Sequence, residues 1–244
     1  MIGRFRSGDT VFYGEIEGGR VYPNGVTSAE TFELSELRVL PPSFPSKIVC
    51  VGLNYKDHAE EFSMEIPKTP VLFLKPPSAV IGHGDKIIYP PSSSRVDYEA
   101  ELAVVIGKRC KNISAEKAED VIAGYTCFND VTARDLQRKD GQWTRAKSFD
   151  TFAALGPYIV STEEIDISDA KISCRVNGET KQASSTSNLI FDIPYLIEFI
   201  TEIMTLEVGD VIATGTPSGV GELHRGDSVE VEVQGIGTLR NEVV

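Results

Sequence analysis

The chain has 244 residues, 41% of them hydrophobic and 25% charged, and a formal net charge of −12. That length holds one large domain, or a main domain with a small appendage, and is enough to bury a sizeable core. The acidic balance argues against nucleic acid or an anionic membrane as partner, since both are held mainly by clustered Lys and Arg, and leaves open a small ligand bound through a metal or local cations.

No apolar run approaches the roughly 20 residues of a membrane span, and the first residues do not read as a signal peptide, so a cytoplasmic protein is expected. Cys50, Cys110, Cys127 and Cys174 are scattered without a C-x-x-C pair, which predicts free, buried thiols. Residues 1 to about 40 carry short β-like pieces, Thr10 to Ile16 and Gly19 to Tyr22, punctuated by Gly18-Gly19 and Asn24-Gly25. They read as a small β appendage. Pro41-Pro42-Ser43-Phe44-Pro45 restricts the backbone and serves as linker, dividing a subdomain over 1–45 from a main domain over 46–244. Lys47 to Gly52 is a buried-type strand, after which Asn54 or Asp57 is expected to cap a short helix carrying His58, Glu61 and Phe62. Ser63 to Pro70 is polar, contains proline and reads as a flap beside His58; Val71 to Leu74 is again a strand.

Asp97-Tyr98-Glu99-Ala100-Glu101 runs into Leu102-Ala103-Val104-Val105-Ile106, a predicted strand that places Asp97, Glu99 and Glu101 on one face, acidic at its start and buried at its end. Carboxylates crowded on such a face must be protonated, paired with cations or bound to a metal. Ser114 is expected to cap a helix from about Ala115 to Ala123, and Tyr125 to Phe128 to form a strand ending at Asn129-Asp130. Thr132 to Lys139 reads as helix, and Trp143 to Phe152 as an irregular stretch holding Lys147. Pro157 to Val160 and Lys171 to Val176 are strands, with Asn177-Gly178 as a hairpin turn. A core helix beginning at Pro194 is expected to bury Tyr195, Leu196, Phe199, Ile200 and Ile203. Asp210 to Thr214 feeds Gly215-Thr216-Pro217-Ser218-Gly219-Val220-Gly221, a loop whose backbone amides can hold an anion; without Gly-Lys-Ser/Thr or a third spaced Gly it is not a nucleotide loop.

Glu99 and Glu101 can supply two oxygen ligands to a hard divalent cation, and Asp130 reads either as a third or as a turn former. His58 and Glu61, at i and i+3, form either a proton-transfer pair or an ordinary surface pair. Lys147 and Arg134 read either as contacts to an anionic substrate or as solvated charges.

Six segments in series resemble the fumarylacetoacetate hydrolase family across about residues 47 to 244. They are Val51-Gly52-Leu53-Asn54-Tyr55-x-x-His58-x-x-Glu61, Leu72-Phe73-Leu74-Lys75-Pro76, Asp97 to Leu102, Asn129 to Asp135, Lys147-Ser148-Phe149-Asp150 and Thr214-Gly215-Thr216-Pro217-x-Gly219-Val220-Gly221. The resemblance is greatest to the short branch of acylpyruvate hydrolases, oxaloacetate-processing enzymes and 2-hydroxyhepta-2,4-diene-1,7-dioate isomerases. It implies an α+β, β-rich mixed β-sandwich roll, usually a homodimer, with Mg²⁺ or Mn²⁺ (Ca²⁺ as a crystal substitute) on Glu99, Glu101 and Asp130. It further implies His58 and Glu61 as a catalytic dyad, Lys147 beside the metal, and Arg134, Gln137 and Thr216 on a small anionic 2-oxo acid. The expected activity is C–C bond hydrolysis of acylpyruvate-like or fumarylpyruvate-like acids in aromatic catabolism. The alternatives are isomerisation, tautomerisation or decarboxylation of a 2-oxo or 2-hydroxydienoic diacid, and a metal-stabilised binding protein without catalysis.

Overall fold

The computed structural model describes residues 1–25, 31–61, 63 and 65–244; Phe62, expected on the helix with His58, and Met64 of the expected flap lie outside the described residues. Among the described residues the strands form sheets of twelve, five and three, joined by a few short helices, a strand-rich α+β arrangement. The strand Ala100–Ile106 lies inside the twelve-stranded sheet, antiparallel to Ile122–Asp130 on one side and Val211–Ala213 on the other. All seven of its residues are buried. Leu102, Val104 and Ile106 share a core with Ile172, Val229, Val231 and Val233 of the five-stranded sheet, while Ala103 and Val105 pack with Ile48, Phe128 and Leu155 on the opposite face. Burial on both faces is why this segment reads as a continuous apolar run after Glu101.

The N-terminal strands Ile2–Ser7, Thr10–Glu17 and Arg20–Pro23 keep a small core of Phe5, Val21 and Leu37, and extend the large sheet through Ile2 against Ile159. The four cysteines are free and buried. Among the described residues no helix is long and apolar enough to cross a membrane.

Four local expectations change. Asn54 caps nothing: its amide donates to the carbonyls of Phe191 and Thr214, at 3.0 and 2.8 Å, and its Oδ1 accepts from Phe191 N–H at 2.8 Å. It ties α1 (Lys56–Glu61) to the segments before α4 (Ile193–Ile203) and before the 215–221 loop. The stretch after Ser114 forms two single 3₁₀ turns, Ala115–Lys117 and Glu119–Val121, with no side-chain cap, because pairing of Ile122 with Ile106 requires extended backbone before an α-helix can propagate. Residues expected to be irregular include the short α3 (Thr144–Lys147). In α4, capped by Asp192 on Tyr195 N–H, the buried stripe is Ile193, Leu196, Ile197 and Ile200. Tyr195 and Ile203 are 37% and 56% exposed, and Phe191, Tyr195 and Phe199 stack along the outside.

The chain enters the main sheet through Asp210, which is buried and accepts from Ser46 N–H, Ser46 Oγ and Lys47 N–H on one oxygen. The other oxygen accepts from Glu207 N–H and pairs with the Lys47 ammonium. Burial pushes this carboxyl up, but those donors outweigh it and hold its pKa below the usual value. Asp210→Ala leaves several donors unmatched and is expected to destabilise the fold by about 3 kcal/mol or more. Because the folded-state pKa is depressed, the Asp210 contribution is present above about pH 4 and disappears as pH falls through its folded value. Urea melts of wild type and Asp210→Ala at neutral pH and near pH 3 check both points: the gap between them must narrow in acid.

Candidate active site

Glu99 is where the predicted strand breaks. Val96–Tyr98 pairs with Thr132–Ala133 and Gly221–Leu223 in the three-stranded sheet, whereas Ala100–Ile106 belongs to the large one. The chain changes sheets at Glu99, so the three acids do not share one strand face. The backbone at the crossing is matched by neighbours: Glu99 N–H donates to Asn129 Oδ1 (3.0 Å), Ala100 N–H donates to Gln182 Oε1 (3.0 Å), and Glu99 C=O accepts from Asp130 N–H (2.9 Å). That last bond sets Asp130, the end of its strand, beside Glu99. One oxygen from each of Glu99, Glu101 and Asp130 lies within 4.8 Å of the other two, and all three residues are buried.

Cations surround this cluster unevenly. Lys147 Nζ donates to Glu99 Oε2 (2.9 Å) and Asp130 Oδ2 (2.6 Å). Lys75, fully buried, pairs with the other Asp130 oxygen and donates to the Val131 carbonyl at 3.0 Å. Arg134 opens α2 (Arg134–Asp140) and reaches Asp97 Oδ2 through Nε (2.8 Å), Gln137 Oε1 through Nη1 (2.6 Å) and Glu99 through Nη2. Asp97 also accepts two bonds from Arg95, at 2.8 and 3.3 Å. It is therefore a buried counter-ion for two arginines.

Burial raises the Glu99 carboxyl, but Lys147 and Arg134 outweigh it and bring the pKa down to about 2. Burial also depresses both lysines; for Lys147 the carboxylates of Asp130 and Glu99 prevail and the net shift is upward, while for Lys75 burial wins. Glu101 differs from its neighbours. Its Oε2 accepts from Gly215 N–H at 2.8 Å, but among the described residues it forms no ion pair. Burial, with Asp130 and Glu99 adding repulsion, raises its pKa well above the ordinary range. An all-oxygen donor set with one uncompensated buried carboxyl fits a hard divalent cation such as Mg²⁺ or Mn²⁺, whose charge would relieve that repulsion.

The 215–221 loop, expected to hold an anion, binds the protein's own carboxylates: Gly215 N–H takes Glu101, and Gly219 N–H takes both oxygens of Glu61, at 3.1 and 3.2 Å. Both glycines have positive φ, +101° and +91°, and a Cβ at Gly219 would fall 2.3 Å from the Lys181 carbonyl oxygen. Glu61 in turn lies 3.4 Å from His58 Nδ1 on α1. Thr216 is buried, its hydroxyl accepting from Gln182 Nε2 at 2.9 Å.

A cavity of about 510 Å³ gathers these groups. His58, Lys147, Arg134, Gln137, Thr216, Glu99, Glu101 and Asp130 all line it; Glu61 is not in the wall and reaches it through His58. Its apolar side is Trp143 edge-on to Phe73, ring centroids 5.2 Å apart, with Trp143 seated so tightly on Gly52 that a Cβ there would lie 2.8 Å from the indole. Lys75, Gln182, Arg95 and Arg138 received no role from the sequence alone. Lys75 carried a usable signal, a charge closing the apolar strand Val71–Leu74. Gln182 carried none, since a glutamine in an otherwise polar strand is unremarkable until the Thr216 loop is seen against it.

Residues 47–244 match the family model described as the fumarylacetoacetate (FAA) hydrolase C-terminal domain. The mitochondrial oxaloacetate tautomerase Fahd2a of Rattus norvegicus is 45% identical over 213 residues, 84% of this chain and 68% of that protein. The crystal structure of 2-hydroxyhepta-2,4-diene-1,7-dioate isomerase from Mycobacterium marinum superposes with a TM-score of 0.92 at 43% identity, covering 100% of this chain and 97% of its own. Maleylpyruvate hydrolase from Sphingobium sp. SYK-6, in complex with manganese(II) and pyruvate, superposes with a TM-score of 0.85 at 28% identity, covering 100% and 98%. As the series of motifs implied, the chain belongs to the fumarylacetoacetate hydrolase family.

Proposed function

We propose that this protein is a divalent-metal-dependent enzyme that moves a proton next to the carbonyl of a 2-oxo acid, interconverting its tautomers or isomers. The observation that carries the reading is that a His-Glu pair and three clustered, buried carboxylates serve one cavity. The names of the rat tautomerase and the mycobacterial isomerase support it, both at more than 40% identity. The catalytic unit is residues 46–244, with 1–45 as a small β subdomain whose strands continue the large sheet; the start of the family match and the small core of Phe5, Val21 and Leu37 support that division. A cytoplasmic homodimer in aromatic catabolism is the family-level expectation that goes with this reading.

Mg²⁺ or Mn²⁺ held by Glu99, Glu101 and Asp130 would supply Lewis-acid charge beside the carboxylate and keto oxygens of a 2-oxo acid, making the adjacent carbon more acidic. His58 takes the proton from that carbon, with Glu61 orienting the imidazole and itself held by Gly219 N–H. Lys147 offsets the negative charge that develops on the substrate oxygen. Arg134, Gln137 and Thr216 hold the remaining substrate oxygens, and the Trp143 and Phe73 wall keeps water from one side. His58 then returns the proton to oxygen or to a more distant carbon, and no bond between heavy atoms breaks.

A second reading is favoured by the likeness to maleylpyruvate hydrolase. His58 takes a proton from water, the hydroxide adds to the distal carbonyl of a 2,4-dioxo acid, and the carbon-carbon bond breaks with pyruvate leaving as its enolate.

Enol absorbance of oxaloacetate and of acylpyruvates, followed with and without Mg²⁺ or Mn²⁺, separates the two readings. Loaded protein that accelerates neither reaction and binds neither oxalate nor pyruvate refutes both. His58→Ala is expected to lower kcat/KM about 100- to 10,000-fold while calorimetric Mn²⁺ affinity is retained. Glu99→Ala and Asp130→Ala are each expected to weaken Mn²⁺ binding about 100-fold or more, and unaltered calorimetric titrations would remove them from the ligand set.

A further inference from the structure

Within the cavity wall the charges of three of the four acids are already answered. Asp97 is shared by Arg95 and Arg134, Glu99 by Arg134 and Lys147, and Asp130 by Lys75 and Lys147; Glu101 is left for the cation the cluster would bind. One further cation lines the same cavity: Arg138. It is exposed, lies on α2 one turn beyond Arg134, and among the described residues it has no hydrogen bond, ion pair or ring contact. At i and i+4, Arg134 and Arg138 share a helix face, about 6 Å apart along the axis. The helix thus presents one guanidinium locked into the acidic cluster and a second one unused at the same opening. The same cavity is lined by the apolar surface of Trp143 and Phe73, suited to a carbon chain rather than to polar groups.

We infer that Arg138 is the specificity-determining contact for a second, distal carboxylate, so that the preferred substrates are 2-oxo diacids rather than 2-oxo monoacids. This rests on the 2-oxo acid reading above and deepens it by naming the far end of the substrate. A planar guanidinium with no competing partner can take a carboxylate with two parallel hydrogen bonds. Arg95 and Arg134 do not offer this, since Asp97 already holds both. A monoacid of the same length would place an apolar tail end beside Arg138 and gain nothing from it.

The test compares Mn²⁺-loaded wild type, Arg138→Gln and Arg138→Lys for binding of oxaloacetate, 2-oxoglutarate and 2-oxoadipate against 2-oxobutanoate, 2-oxopentanoate and 2-oxohexanoate. Oxalate, which has no tail, serves as reference. Wild type is expected to prefer the diacid of the best-fitting length, and Arg138→Gln to lower that diacid-to-monoacid ratio about 10- to 100-fold, the loss of one charge-assisted contact. Arg138→Lys is expected to recover part of the ratio. The same ratio in wild type and Arg138→Gln, with oxalate bound by both, overturns the role of Arg138 and leaves the 2-oxo acid reading standing. Failure of wild type to bind oxalate or any of the six acids overturns that reading and this one with it.

Discussion

The burial of ionised groups at the Glu99 crossing governs the rest of this molecule. Removing a carboxylate from water costs several kcal/mol after relaxation, and that cost is offset only by close, well-aligned opposite charge. Glu99, Asp130 and Asp97 therefore each bring a cation inside with them, and those cations must come from separate places in the sequence: Lys75 from the edge strand, Arg95 from the preceding loop, Arg134 from α2 and Lys147 from α3. The large sheet, the small sheet and both helices are held in one geometry by the charges they exchange. Such a network is poor evidence of stability gained, but good evidence of positions constrained, because removing one member strands another in low dielectric.

The same requirement accounts for the break in the chain at Glu99. A continuous strand would alternate Asp97, Glu99 and Glu101 along one face of one sheet, bringing three carboxylates into register with no space for their partners. By changing sheets, the chain directs Asp97 toward the arginines and leaves Glu99 and Glu101 with Asp130. The 215–221 loop completes the arrangement from the other side. Its glycine amides supply partial positive charge to Glu101 and Glu61 without adding another side chain, and no residue with a Cβ fits at Gly219.

Much of this was legible beforehand, where the physical signal is local or the motif series is long. The strands around Lys47 to Gly52, Tyr125 to Phe128 and Lys171 to Val176 follow from apolar patterning, and the family and fold from six ordered motifs. What was not legible depends on partners distant in sequence. Asn54 looks like a helix cap in isolation and is instead a bracket between three segments. Ser114 begins a stretch with helical composition, but the Ile106 to Ile122 pairing prevents the helix. In α4 Leu196 and Ile200 are buried as the spacing predicts, but Ile193 and Ile197 complete the buried stripe while Tyr195 and Ile203 face outward and the aromatics stack along the outside. Periodicity identifies a stripe; it does not say which of two adjacent apolar stripes meets the core.

An anionic substrate must still enter a protein of net charge −12. At physiological salt the screening length is about 8 Å, so acidic groups spread over the surface act weakly on a molecule at the cavity mouth. Inside, where water is largely excluded, nearby charges act far more strongly. The local balance therefore decides binding. Here the lining acids other than Glu101 are already matched by arginines and lysines, and Arg138 remains as surplus positive charge. The overall acidity disfavours nucleic acids and anionic membranes, which engage wide surfaces, while this cavity stays receptive to a small anion. The chain's global charge and its local charge thus answer different questions, and only the second bears on what the cavity holds.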